Sequence, residues 1–192
     1  MEDAGALLIS AATSVEALID VARLSTGQTV LVTAAAGATG MHAVRLAKHL
    51  GAHVIGTGSK GSFSFIESLG ADEVYDYAAD VLGEVRRRHP DGVDILLDNV
   101  SPDNFANHAP LVRSGGHAIG THAPQPTAPS GVHGRLILSW NYADRFRDVV
   151  DLVDQGVLKV EIVRRYRWSE ANEAHDWLSS SSGRGNIVLV PD

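Results

Sequence analysis

Apolar and polar positions along the chain fall into two alternating periods. From Ala4 to Ala22 the apolar side chains Leu7, Leu8, Ala11, Val15, Leu18 and Ile19 recur at helical spacing, and Ser25-Thr26-Gly27 breaks the pattern. Thr29-Val30-Leu31-Val32-Thr33 reads as a short buried strand. Small residues from Ala34 to Gly40 follow, and then a helix with Ala43, Leu46, Ala47 and Leu50 on one face stops at Gly51. The same unit recurs. A second strand, His53 to Thr57, precedes a helix through Phe65, Ile66 and Leu69. A third, Glu73 to Asp76, precedes a charged helix from Ala78 to Arg88. A fourth, Val93 to Asp98, leads through a helix around Asn104 to Val112 into a fifth at His117 to Gly120. Continuous apolar strands alternating with amphipathic helices predict a parallel sheet covered on both faces. Right-handed crossovers make a doubly wound α/β sheet its simplest topology.

The pattern continues past a Pro/Gly-rich loop, Ala123 to Gly134. Arg135 to Trp140 reads as a strand, and Tyr142 to Gln155 as a helix burying Phe146, Val149, Val150 and Val153. A strand near Val160 to Val163, a helix from Glu170 to Leu178, a solvated turn at Ser179 to Ser182 and a last strand, Asn186 to Val190, complete the chain. The expectation is one domain over residues 1–192, with a leading helix in 1–24 and a closing strand in 185–192.

Composition narrows the chemistry. The 192 residues include no cysteine, which excludes a disulfide framework, a thiol nucleophile and Cys-ligated zinc or iron–sulfur sites. The net charge of −7 offers no electrostatic footprint for nucleic acid. No apolar run approaches the roughly 20 residues that span a bilayer, and Met1-Glu2-Asp3-Ala4 lacks the basic start of a signal peptide. A soluble, cytoplasmic protein without nucleic-acid or membrane partners is expected.

The central motif lies between the first strand and the following helix. Ala35-x-Gly37-x-x-Gly40 is a dinucleotide fingerprint with alanine in place of its first glycine, the mark of a Rossmann-type domain. Gly37 would let backbone approach a pyrophosphate, and Gly40 would let helix and strand pack closely. The N–H groups of Ala38, Thr39 and Gly40 open the helix, where their partial positive charge favours an anion. NAD sites place an acid about 20 residues beyond the glycines to bond the ribose 2′-hydroxyl. Here that stretch reads Gly58-Ser59-Lys60-Gly61-Ser62. Ser59 can donate to a 2′-phosphate and Lys60 can neutralise it, so NADP(H) is expected over NAD(H).

At this point the chain resembles the nucleotide-binding half of the medium-chain dehydrogenase/reductases, in their zinc-independent quinone oxidoreductase and enoyl reductase branch. The resemblance rests on Thr26-Gly27-Gln28-Thr29-Val30-Leu31-Val32, Ala34 to Gly40, Val44-Arg45-Leu46-Ala47-Lys48 and Ser68-Leu69-Gly70-Ala71-Asp72-Glu73-Val74-Tyr75-Asp76-Tyr77. Val93 to Asp98, Gly115-Gly116, Ala171-x-x-Ala174-His175 and Gly185 to Pro191 extend it. It implies pyrophosphate binding at Gly37 to Gly40, the 2′-phosphate at Ser59, and the adenosine near Tyr77. It also implies a nicotinamide ribose bordered by Asn99 and Gly120, and a cofactor-facing Thr13. Two departures stand out: the family's basic residue after Ser59 falls at Gly61 or Ser62, leaving Lys60, and its Val-Gly-Gly is Val100-Ser101-Pro102 here.

The resemblance further implies a barrel-like N-terminal catalytic domain that this chain does not contain. It implies a homodimer joined through the strand Arg135 to Trp140, or a separate catalytic-domain partner. Reduction of an activated C=C bond or a quinone is the expected activity. A non-redox cyclase or isomerase reusing an open cleft, and a NADPH-sensing binding module, are the alternatives. Among the nine histidines, His108, His117, His122 and His133 fall in segments expected near the C-terminal edge of the sheet. His122, two residues past Gly120, is the candidate proton donor to a small-molecule substrate. No spacing of histidines and acids indicates a metal site.

Overall fold

The fold is described from a computed structural model for residues 2–124, 127–138, 142–180 and 185–192. Helix α1 (Glu2–Val15) continues as a π-helical segment, Glu16–Val21. The alternation then runs through β1 (Thr29–Val32), α2 (Ala38–His49), β2 (His53–Gly58), α3 (Phe63–Ser68), β3 (Glu73–Asp76) and α4 (Val81–Arg88). It continues through β4 (Val93–Asp98), α5 (Pro102–His108), β5 (Val112–Gly120), β6 (His133–Leu136) and α6 (Tyr142–Asp154). The chain closes with β7 (Ile162–Arg167), α7 (Ala171–Ser180) and β8 (Asn186–Val190).

Six strands form one parallel sheet in the order β3-β2-β1-β4-β5-β6. This is the doubly wound sheet that the strand–helix alternation predicts. Side chains of successive residues leave a strand on opposite faces, and the two cores follow that rule. Val30, Val32, Ile95, Leu97 and Ile119 join the core under α1, α2 and α6. Leu31, Ile55, Leu96 and Ala118 join the opposite core with Val81, Val85 and Phe105 of α4 and α5. That double burial explains why the strands read as unbroken apolar runs. The order reverses between β1 and β4, so the chain leaves these neighbours toward opposite faces and opens a crevice at their C-terminal ends.

Four expectations change. The strand expected over 135–140 is β6, His133–Leu136, and Ser139 and Trp140 lie outside the described residues. Among the described residues it forms the free edge of the sheet, with β5 as its one neighbour there. The strand expected near Val160 to Val163 runs over Ile162–Arg167. β7 and β8 pair with each other, in parallel, as a separate two-stranded sheet, and β7 carries exposed Arg164, Arg165 and Arg167. On α6, Val149 is buried while Phe146 and Val150 are exposed, so half of its apolar face lacks cover. Helix α7 takes up Ser179 and Ser180 of the expected turn, and Ser181 and Ser182 lie outside the described residues. Among the described residues, no helix is long and apolar enough to cross a membrane.

One buried polar side chain makes the stability of this core depend on pH. His42 of α2 is fully buried, and neither ring nitrogen has a hydrogen-bond partner. Desolvation, and then the Arg45 guanidinium, push its pKa from 6.5 down to about 4, against a weaker opposite pull from Glu161. Below about pH 6.5 the unfolded chain therefore takes up a proton that the folded chain refuses until about pH 4. Stability held at neutral pH is lost across that window, by about 3 kcal/mol in total from this group. In the His42→Leu variant that component disappears. The difference between the two unfolding free energies, followed by urea denaturation from pH 7.5 to 4, should shift by that amount, and parallel profiles would refute it.

Candidate functional site

The small residues after β1 make a turn that admits almost nothing extra. Ala34 adopts a left-handed conformation (φ 48°), and its carbonyl accepts the Gly37 N–H at 2.9 Å. The Ala35 N–H donates to the Thr57 carbonyl at 2.9 Å, tying the turn to the end of β2. Gly37 is the extended N-cap of α2, so the first N–H groups of that helix have no intrahelical acceptor. A Cβ on Gly40 would lie 2.1 Å from the Ala34 oxygen and 2.7 Å from the Ala35 Cα. Only glycine fits where the helix crosses its own entry turn. Ser14 of α1 presses on this loop from behind, its hydroxyl donating to the Thr39 carbonyl at 3.1 Å.

Beside the turn lies a cleft of about 460 Å³, open to solvent and lined chiefly by apolar surface. Ala34, Ala36 and Gly37 form one wall. Thr57, Gly58, Ser59 and Ser62 form the floor after β2, and Tyr77, Val81, Val100, Asn104 and His108 close it from the segments after β3 and β4. Ser62 anchors the floor by donating its hydroxyl to the Ser59 carbonyl at 2.7 Å. The His108 Nδ1 lies 2.8 Å from the Asn104 carbonyl, so Nδ1 carries the proton and Nε2 is the free nitrogen of the neutral ring.

The rim between β1 and β4 is held by Asp98, which is fully buried. Its carboxylate accepts the Thr33 hydroxyl at 3.0 Å, the Val100 and Ser101 N–H groups at 3.1 Å each, and the Asn104 amide. Ser101 caps α5 by accepting the Asn104 N–H at 3.1 Å, and Pro102 follows at the first helical position. The Val100-Ser101-Pro102 departure is thus a capped helix start packed onto a buried carboxylate. Asn99 bridges the crevice. Its N–H donates to the Thr33 hydroxyl at 3.0 Å, and its side-chain amide donates to the Thr33 carbonyl at 3.1 Å.

The sequence-predicted residues divide accordingly. Gly37, Ser59 and Tyr77 line the cleft, and Ala35, Ala38, Thr39 and Gly40 build the turn and helix start at its side. Lys60 stands at its outer edge, largely exposed, with Nζ 3.9 Å from Asp76. Asn99 and Gly120 sit together at the ends of β4 and β5, where Gly120 pairs with Asp98. Thr13 is buried, its hydroxyl donating to the Ile9 carbonyl at 2.8 Å. His122 is exposed beside the Thr121 hydroxyl, at 3.2 Å, and does not line the cleft. The four grouped histidines separate as well. His117 and His133 pair with each other across β5 and β6, ring centroids 5.1 Å apart, three residues short of the sheet's C-terminal edge. Only His108 reaches the cleft. Thr57, Ser62, Val81 and Asn104 had no sequence signal of their own, because strand order brings their segments together.

Comparison with known proteins agrees with this architecture. A family model described as zinc-binding dehydrogenase matches residues 69–189. The chain is 32% identical to a reducing polyketide synthase of Gibberella fujikuroi, over 99% of this chain and 9% of the synthase. It is 30% identical to a 2-haloacrylate reductase of Burkholderia, over 88% of this chain and 57% of that protein. A mycobacterial protein solved in complex with NADPH superposes with a TM-score of 0.86 at 27% identity, covering 99% of this chain and 64% of that one. The chain therefore belongs to the zinc-binding dehydrogenase family, as a nucleotide-binding domain of the medium-chain dehydrogenase/reductase superfamily. It spans less than two thirds of the length of these relatives. The family description carries zinc, yet no cysteine is present. Among the described residues no His, Asp or Glu group able to share an ion lies in the cleft.

The glycine turn can be tested directly. Gly40→Ala forces a methyl group into backbone atoms that cannot move aside, and should lower the unfolding free energy by about 3 kcal/mol or more. Urea denaturation measures it; an unchanged midpoint would show that the turn is not rigid.

Proposed function

We propose that this domain binds NADP(H) along the glycine turn and cleft and serves an oxidoreductase that reduces an activated C=C bond or a quinone. The carrying observation is the pairing of a helix start built from Gly37, Ala38, Thr39 and Gly40 with a cleft floor that has hydroxyls and no carboxylate. Gly40 lets α2 pack onto its entry turn and Gly37 caps its start, which suits approach of a pyrophosphate to the N–H groups of Ala38 and Thr39. In this reading the cleft receives the adenosine against Tyr77, while Ser59 and Lys60 meet the 2′-phosphate. Asp76 accepts the Ala78 N–H at 3.1 Å and keeps Lys60 at the rim without enclosing it, so the ammonium remains available to a phosphate.

A nicotinamide cofactor supplies a hydride to an electron-poor carbon or a quinone. This chain's residues would bind and orient it: Asn99 and Gly120 form the rim beyond the crevice, and Thr33 and Asp98 hold that rim still. The identity to a haloacrylate reductase supports a substrate with an activated double bond. Hydride transfer requires excluded water, so a second wall over the nicotinamide end completes the site in this proposal, whether from a separate catalytic domain or a second copy. The free edge at β6 and the exposed Leu138 beside it suit pairing with another copy.

Fluorescence titration with NADPH and NADH tests the reading. NADPH should saturate well below millimolar and bind at least tenfold tighter than NADH. Lys60→Glu should weaken NADPH by roughly tenfold, about 1.4 kcal/mol, while changing NADH less than twofold. Absence of saturation at millimolar NADPH would overturn the proposal, and equal affinity for the two cofactors would remove its 2′-phosphate component.

A further inference from the structure

At the sheet edge opposite the cleft, three side chains distant in sequence converge on one point. The His53 Nε2 and the His89 Nε2 each lie 2.8 Å from the same oxygen, Oε1 of Glu73, and the three ligating atoms all fall within 4.8 Å of one another. His53 opens β2, Glu73 opens the edge strand β3, and His89 caps the C-terminus of α4. All three side chains are partly accessible: 39% for His53, 14% for Glu73 and 18% for His89. We propose that His53, Glu73 and His89 form a binding site for one divalent first-row transition-metal ion of the zinc type.

The surrounding groups hold this cluster in place. The Asp72 carboxylate stands 3.7 Å from His53 Nδ1, and it is itself held by the Val54 N–H at 2.8 Å and by Lys48. Each imidazole can donate its Nε2–H to the Glu73 oxygen, and a metal ion can take the place of those protons. Two imidazole nitrogens converging on one carboxylate oxygen make the arrangement that of a metal's donor set. Tetrahedral zinc with bonds of about 2.0 Å separates its donors by about 3.3 Å, so the site needs to open by about half an ångström. Asp72, 3.7 Å from His53 Nδ1, stands on the side from which an outer carboxylate commonly orients a ligating imidazole.

The other Glu73 oxygen is already engaged. Oε2 accepts the Tyr75 hydroxyl at 2.5 Å and has the Arg88 guanidinium 3.7 Å away, which leaves Oε1 as a single-oxygen ligand. Arg88 opposes a cation from the far side, though its side chain is more than half exposed and screened by solvent. Two imidazoles and a carboxylate suit zinc, cobalt or nickel rather than calcium or magnesium, which prefer oxygen alone. The bound ion would clip β2, the edge strand β3 and the end of α4 together.

Calorimetric titration of untagged protein with Zn²⁺ at pH 7.5 tests this. One equivalent should bind with a micromolar or tighter Kd and raise Tm by several degrees. His53→Ala and His89→Ala should each weaken binding at least tenfold, whereas His117→Ala, which breaks the other histidine pair, should leave it unchanged. X-ray absorption of the wild-type 1:1 zinc complex, which needs no variant to fold, should show two imidazoles and oxygen around the metal. Binding weaker than millimolar, affinity untouched by both histidine variants, or a spectrum with fewer than two imidazoles would each overturn the proposal.

Discussion

The buried carboxylate of Asp98 holds the crevice on which the rest of the cleft depends. A parallel sheet that reverses its winding between two adjacent strands necessarily opens a gap at their C-terminal ends. Polar backbone in that gap needs partners, because an unpaired buried group costs about 1–3 kcal/mol. Asp98 supplies them. It reaches back to Thr33 at the end of β1 and forward to Val100, Ser101 and Asn104 at the start of α5, so one side chain sets the spacing of the glycine turn and the far wall. Asn99 doubles the connection through both oxygens of Thr33. The charge itself is dispersed among donors, which suits an anchor better than a reacting group.

The two edges of the sheet carry opposite chemistry, and strand direction is the reason. Helices enter at the C-terminal edge, where α2 presents unpaired N–H groups and the surrounding residues are small or hydroxylic. The partial positive charge of those N–H groups suits an anion. At the N-terminal edge helices end, and the end of α4 brings Arg88 and His89 to the acid Glu73, beside which His53 stands near Asp72. The acids there keep the edge strand β3 charged, which blunts its unpaired side against other strands. Six residues of extended chain, about 20 Å, separate His53 from Ser59, so the imidazole cluster and the cleft lie at opposite ends of β2.

The parts of the fold that were legible were those whose signal is local. Strands β1, β2 and β4 are short apolar runs covered on both faces, so periodicity alone placed them, and the edge strand β3 was marked by its place between two helices. The glycine turn was legible because its requirement is steric and sits within seven residues. The strand expected over 135–140 was too long, since the alternation of Leu136 and Leu138 does not show where pairing with β5 ends. Phe146 and Val150 misled for a related reason: helical spacing shows which residues share a face, and not whether anything covers it. The separate β7–β8 sheet had no sequence signal, because a strand does not encode which sheet it joins.

By itself the sequence determined the alternation, the turn at Gly37 to Gly40 and the absence of an acid after β2, since each of these is carried by neighbouring residues. Tertiary structure alone decided that Asn104 and His108 face Ser59 and Tyr77, that Asp98 is an anchor, and that His53, Glu73 and His89 meet at one oxygen. Those contacts join residues 16 to 65 positions apart along different strands. Strand order and register place them, and these are settled by packing across the whole sheet rather than by any local run of residues.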